Sequence, residues 1–474
     1  TTTDSNYASE VKEADVDVYN VDTAGITLTG TSVTVSEAGT DGSVNLKLDS
    51  KPTADVTFTV TGSDAGEASV ASTTITFTTV NWNIDQTVTV TGVDDVATDG
   101  PQASTVTLSP ASTDSMYDAM DDLVVDVTTT DDDTAGATVS QSDGSTVVSE
   151  TGTTDVVSVV LNTQPTSNVT ITVALAGSDE VLVGPTTITF SPANWNVAQD
   201  VTVTGVDDDV DDGDQDTTMT LSISGAAAYA ALDNQSVTIT TTDNDAAGFT
   251  VTHSEGSTAV AESGTTDTFT VVLTAQPTSD VQIFMCTCHL MGEVSLDKTL
   301  LTFTNGNWNS AQTVTVTGLD DDLDDGTTDS RITLTVVNGS DAAFNSVVNQ
   351  AFMVTNADDD TAGVTAVATD GTTEVSEAGS NDTISVVLTT EPTGTVVVSV
   401  TASDPSEASV SPTVLTFTTT NWNVAQDVTV VGLDDTDDDG DITSTVTLAV
   451  EDAASAAEFA PVADVELPIV TTDD

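Results

Sequence analysis

Four tryptophans, Trp82, Trp195, Trp308 and Trp422, stand 113, 113 and 114 residues apart in a chain of 474 residues. Each sits in the same phrase, Asn-Trp-Asn, and Pro52, Pro165, Pro277 and Pro392 keep nearly the same step. Self-similarity at a fixed step marks a tandem array, in which one structural unit is built several times over. Whatever the fold, it must therefore close within about 113 residues.

The units open on "DTAG" at Asp22, Asp133 and Asp360 and on "DAAG" at Asp245. This places repeats at residues 22–132, 133–244, 245–359 and 360–474. Residues 1–21 align with the close of a full unit, and are expected to be the final strand of a preceding repeat. Such a strand is a possible donor to a neighbour's sheet.

Inside a unit the periodicity is two. In the second, "VVSVVL" from Val156, "VTITVAL" from Val169, "TITF" from Thr187, "VTVTG" from Val201, "MTLSIS" from Met219 and "VTITTT" from Val237 alternate apolar residues with Thr or Ser. Alternation of this kind reads as half-buried strand, and Thr on the outer face raises strand propensity without adding charge. No segment carries a helical stripe. Short strands parted by Gly, Pro, Asn and Asp turns predict an all-β chain, a tandem array of immunoglobulin-like β-sandwich domains of about 113 residues each. The Asn-Trp-Asn corner is read as a turn with one large ring plugging a core poor in aromatics, rather than as a platform for a sugar.

The charge is lopsided, with 77 acidic residues against 5 basic ones and a formal net charge of −72. Nucleic acid and anionic membrane surfaces would repel such a chain, so neither is expected as a partner. No run approaches the roughly 20 apolar residues of a membrane span, and no secretory leader is visible. Of the acids 61 are Asp and 16 are Glu, and much of the aspartate is bunched into loops. The loops read "GVDDVATDG" from Gly92, "GVDDDVDDGD" from Gly205, "GLDDDLDDGT" from Gly318 and "GLDDTDDDGD" from Gly432. A glutamate near a strand start (Glu37, Glu150, Glu262, Glu377) and aspartates at each unit's end recur with them. Crowded carboxylates repel unless a cation sits among them, and clustered oxygen ligands suit Ca²⁺ first. The competing reading is a solvated acidic turn adapted to salt. In a sandwich alternate loops gather at one end, so the three acidic segments could meet near the junction with the next unit.

The set "V-S-E", "DDD-V-D-D-G-D" and a closing "T-D-D-D" resembles the Calx-beta domain family and, more loosely, the calcium-dependent cadherin-like arrays, here in the manner of a bacterial or archaeal surface protein. The resemblance implies immunoglobulin-like sandwiches that bind several Ca²⁺ ions at one end. Carried over, it implies ligands at Glu150, Asp207, Asp208, Asp209, Asp243 and Asp245 in the second unit. The first unit supplies Glu37, Asp94, Asp95, Asp131 and Asp133, and the third supplies Glu262, Asp320, Asp321, Asp322, Asp358 and Asp360. The fourth supplies Glu377, Asp434, Asp435 and Asp473. A further ligand is matched by Asp64, Asp179 and Asp404, whereas the third unit has "CTCHLMGE" there, so that ligand is expected to be missing or replaced. The first unit's loop is thinner in acid, which implies fewer or weaker sites.

"MCTCHLM" holds the two cysteines, Cys286 and Cys288, beside His289. A soft-metal site, a disulfide and a strand-and-turn variation without a site all remain open for it. Asn168, Asn234, Asn338 and Asn381 sit in N-x-S/T sequons. Catalysis is not expected: both histidines, His253 and His289, fall in one unit, and no phosphate loop or nucleophile set can be argued. The expected role is an extracellular structural array, a rod, filament or cell-surface layer stiffened by Ca²⁺ at its junctions. Its partners would be copies of itself, joined end to end or by a donated strand, or neighbouring repeats of a longer chain. The alternative is an adhesive module for a glycan or protein on another surface.

Overall fold

The computed structural model describes residues 22–177, 179–287, 292–434, 436 and 440–473. The expected strand of residues 1–21, Asp435, Cys288 and His289 lie outside the described residues. The chain forms two compact units: the first runs through Asp207 and adds Gly213–Asp243, and the second holds Asp208–Asp212 and the chain from Asn244. Each carries two pairs of sheets.

The first pair shows how sequence becomes sandwich. Strands β1 (Ile26–Thr29), β3 (Asp41–Leu48), β7 (Gln86–Gly92) and β5 (Ala68–Val70) form a four-stranded sheet in the order β1-β3-β7-β5. Strands β2 (Ser32–Ser36), β10 (Leu123–Thr130), β9 (Gln102–Ser112), β4 (Val56–Gly62) and β6 (Thr74–Phe77) form a five-stranded one, β2-β10-β9-β4-β6, and the two-residue β8 (Ala97–Thr98) lies outside both. The chain thus splits its leading strand between the sheets, and β2 runs parallel to β10 in a ladder that is otherwise antiparallel. The other three repeats reproduce both orders. This is the immunoglobulin-like arrangement that the alternating pattern predicts.

Alternation decides the inside. In β4, Val56, Phe58 and Val60 are buried while Thr59 is exposed. Phe58 and Phe77 meet edge to face at 6.0 Å in the middle of the first core. Trp82 packs half-buried against that core, its carbonyl accepting from Leu48 N at 2.9 Å, and Asn81 Oδ1 accepts from Thr78 N at 2.5 Å. Trp195, Trp308 and Trp422 repeat both the packing and the bond to a leucine N–H. The corner is a structural plug. At the same end, Asp114 caps the short helix α1 (Ser115–Asp118) and also accepts from Thr53 N, while Tyr117 Oη donates to Ser50 O at 2.6 Å.

Candidate metal centre

Two glycines set the site's geometry. β2 ends at Ser36 immediately before Glu37, and β7 ends at Gly92 immediately before the aspartate loop. A Cβ on Gly92 would stand 2.1 Å from Ser36 O, so only glycine lets the two strand ends lie against each other. Gly205, Gly318 and Gly432 meet Ser149 O, Ala261 O and Ser376 O at 2.1, 2.1 and 2.2 Å. Further along the loop, Gly100 has φ +76°, a left-handed conformation that aims its N–H at Asp131 Oδ2, 2.7 Å away. Asp131 Oδ1 accepts from Asp133 N at 2.8 Å. The last strand's terminal aspartate thereby clamps the loop. Asp358 does the same with Gly326 N and Asp360 N, both at 2.7 Å. Asp243 takes Gly213 N at 2.7 Å and Asp473 takes Gly440 N at 2.9 Å.

The result is a knot of carboxylates. In the first unit, Glu37, Asp95 and Asp133 each offer an oxygen, all within 4.8 Å of one another. In the third repeat Glu262, Asp358 and Asp360 do so, and Asp320, Asp359 and Asp360 form a second set. Glu37 and Glu262 are each 1% exposed, and one oxygen of each (Oε2) has no hydrogen-bond partner. Burial, and then the charges of Asp131, Asp95, Glu67 and Asp99, push the Glu37 carboxyl up to about 7. Burial followed by Asp321, Asp358, Glu293 and Asp325 does the same to Glu262, also to about 7. Burial is the main cause of the upward shifts at Glu67, Asp133, Asp325 and Asp360. The sequence puts no Lys or Arg into any of these segments.

Where the other nominated residues fall is informative. Glu150 (1% exposed) and Glu377 (3%) keep the buried strand-start position. Asp94, Asp207, Asp208, Asp209, Asp321, Asp322 and Asp434 lie exposed along their loops. Asp207 and Asp243 belong to the first unit, and Asp208, Asp209 and Asp245 to the second. Asp64 is exposed and caps Gly66 N through Oδ1, Asp179 is exposed, and Asp404 accepts from Ser406, which lowers its carboxyl. None of these three joins the carboxylate sets above. The residue that approaches instead is the glutamate just ahead of the next strand, Glu67, whose Oε2 has no partner. Its counterparts Glu180, Glu293 and Glu407 stand at steps of 113, 113 and 114, so the third repeat keeps this carboxylate in Glu293. Asp99, Asp212 and Asp325 hold the same step, each just before the left-handed glycine. Sequence reading passed over both series.

The loop of the first repeat also reaches the second. Gln164 N donates to Val96 O at 2.7 Å, and Ala97 and Thr98 pair in parallel with Gln164 and Pro165. Within the second unit Gln276 N donates to Asp209 O at 2.5 Å, and Glu391 N to Asp322 O at 2.6 Å. Asp324 Oδ2 takes Ala362 N at 2.7 Å. The carboxylates therefore gather where one sandwich meets the next.

An all-oxygen set of half-buried and exposed aspartates around a buried glutamate, without a basic partner, fits Ca²⁺, which takes six to eight oxygens from flexible segments. It fits Zn²⁺ poorly, since no imidazole or thiolate is present. Cys286, at the edge of a strand in the third repeat, is disulfide-bonded. Among the described residues no helix is long and apolar enough to cross a membrane.

No family model matches the chain, and no curated protein does. Among solved structures it is similar to the calcium binding domain CBD12 of CALX1.1, at 18% identity over 42% of this chain and 80% of that one, with a TM-score of 0.21. It is similar to the extracellular cadherin domains 3–6 of protocadherin gamma B2, at 11% identity over 95% of this chain and 99% of that one (TM-score 0.32). A third is the titin I-band fragment I67–I69, at 9% identity over 71% and 98% (TM-score 0.22). At TM-scores this low the likeness carries no argument, and the carboxylate centre stands on its own geometry.

Proposed function

We propose that the chain is a calcium-dependent extracellular structural array, a rod or filament component whose junctions are stiffened by Ca²⁺. The observation that carries this reading is the pair of buried, unpartnered glutamate oxygens, Glu37 Oε2 and Glu262 Oε2, facing carboxylates from the loop and the linker to the next repeat. Leaving a buried charge unsatisfied costs several kcal/mol unless a counter-charge arrives. Glu37, Glu67, Asp95, Asp99, Asp131 and Asp133 would hold the ion at the first junction, and Glu262 (through Oε2), Asp321, Asp325, Asp358 and Asp360 at the third.

Calcium supplies charge neutralisation and multidentate cross-linking, with no reaction. The protein supplies preorganisation: Gly92 and Gly100 fix the loop, and Asp131 ties it to the last strand. Because Asp133 leads into the second repeat, an ion held there joins two sandwiches. The unfolded chain lacks an assembled site, so binding also stabilises by mass action. Partners would be neighbouring repeats or further copies, at a cell surface.

The deciding experiment is thermal unfolding in millimolar CaCl₂ against EGTA at fixed, high NaCl, which screens general repulsion in both samples. The expected result is a rise in melting temperature of ten degrees or more on the order set by one or two tight sites per junction. Equal melting temperatures would leave the loops as solvated acidic turns.

A further inference from the structure

One residue inside the third repeat's carboxylate knot differs in kind from its counterparts. Asn356 is fully buried and pairs with Val260, the residue two before Glu262. The corresponding positions, paired with Val35, Val148 and Val375, are Thr129, Thr241 and Thr471. Asn356 Nδ2 donates to Glu262 Oε1 at 3.2 Å, to Glu293 Oε2 at 3.4 Å and to Leu319 O at 3.4 Å. Every neighbour that Nδ2 reaches is an acceptor, so the nitrogen faces the two carboxylates, while the amide oxygen is buried without a partner. Glu293 Oε2 also accepts from Thr328 Oγ1 at 2.8 Å. In the first repeat Thr129 Oγ1 instead turns to the backbone carbonyl of Glu67, and donates to neither Glu37 nor Glu67 through a carboxylate oxygen.

An amide N–H₂ brings two hydrogens and no net charge. Between Glu262 and Glu293 it claims Glu262 Oε1 and Glu293 Oε2, which an ion there would bridge, and leaves Glu262 Oε2 to the aspartate side of the knot. We propose that Asn356 stands in for a Ca²⁺ ion at this position, so that the place between Glu262 and Glu293 takes no ion where the place between Glu37 and Glu67 does, and the third repeat holds its loop together there without calcium. This deepens, and rests on, the calcium reading above. It makes the junctions unequal: the first opens when calcium falls, and the third persists to lower concentrations.

The test uses the whole chain with Asn356→Thr, the residue three repeats already carry, and the converse Thr129→Asn. Calorimetric titration with CaCl₂ gives the number of ions per chain, and hydrogen exchange in EGTA reports the segments at residues 262–264 and 318–326. N356T is expected to bind about one more Ca²⁺ per chain and to exchange at least several-fold faster at those segments in EGTA. T129N is expected to lose about one ion, and stands in should N356T fold poorly. Unchanged stoichiometry and affinity in both variants, with calcium still bound by the parent chain, overturns the role of Asn356 alone. Absence of calcium binding in all three chains overturns the underlying reading, and this inference with it.

Discussion

At Glu37 a single carboxylate is asked to do two opposed things. Its burial and its four acidic neighbours favour the protonated form, yet a cation would need the ionised one. Two predictions follow at this scale. Glu37→Gln removes the repelling charge, so in EGTA at pH 7.5 exchange around residues 35–40 should slow, a local gain of about 1–2 kcal/mol. The same change should remove most of the calcium-dependent protection there, and a loss of protection in EGTA instead would make Glu37 an ordinary structural acceptor. The second concerns pH. The folded-state values of Glu37 and Glu262, about 7, lie above the ordinary 4.5, so the folded chain holds protons that the unfolded chain releases. That stabilisation is fully present below about pH 4.5 and is lost as pH rises through 7, up to about 3 kcal/mol for each glutamate. In EGTA, melting temperature should therefore fall between pH 5 and 8. Saturating Ca²⁺ should flatten the fall, and calcium binding at pH 6.5 should release protons, seen as a dependence of binding heat on buffer ionisation enthalpy.

Among the elements, the loop from Gly92 to Gly100 shows how two glycines can be needed for different reasons. Gly92→Ala sets a Cβ against the backbone of Ser36, its O, C and N, and should cost about 2–4 kcal/mol in urea unfolding. Gly100→Ala meets open space and is penalised only by its left-handed φ, about 1 kcal/mol. Reversal of that order would mean that β7 is free to shift away from β2. The sandwich was legible because its signal is local: alternation in stretches such as "VTITVAL" and the tryptophan step need no knowledge of what packs where. The strand-start glutamates and terminal aspartates were legible for the same reason. Glu67 and Asp99 were not. They stand alone in sequence, one beside Gly66 and Ala68 and the other after Ala97 and Thr98, and only the closure of the two sheets brings them to Glu37. The family resemblance nominated Asp64, a turn cap, and passed over Glu67, although Glu67 recurs at a step of 113 residues. Asn356 could not have been weighed at all without knowing which strand face it shares with Glu262.

For the molecule as a whole, the loop contacts at Gln164, Gln276 and Glu391 matter most. A fragment of residues 22–132 lacks Asp133 and leaves the Ala97–Thr98 edge unpaired, so its calcium affinity should be at least ten-fold weaker than that of residues 22–243. Titration calorimetry on both fragments would show it, and equal affinities would mean that the first centre is complete without the second repeat. The same contacts bear on how such a chain comes apart. Val96–Thr98 are encoded in the first repeat yet bond to Gln164 and Pro165 of the second. With a loop shared in this way, the first repeat cannot melt without stripping hydrogen bonds from the second. Unfolding within residues 22–243 then spreads from one repeat to the next like a zip rather than striking each independently. Pulled from its ends, that pair would give way in one larger step rather than two, and would do so at the calcium concentration that empties the seam between them.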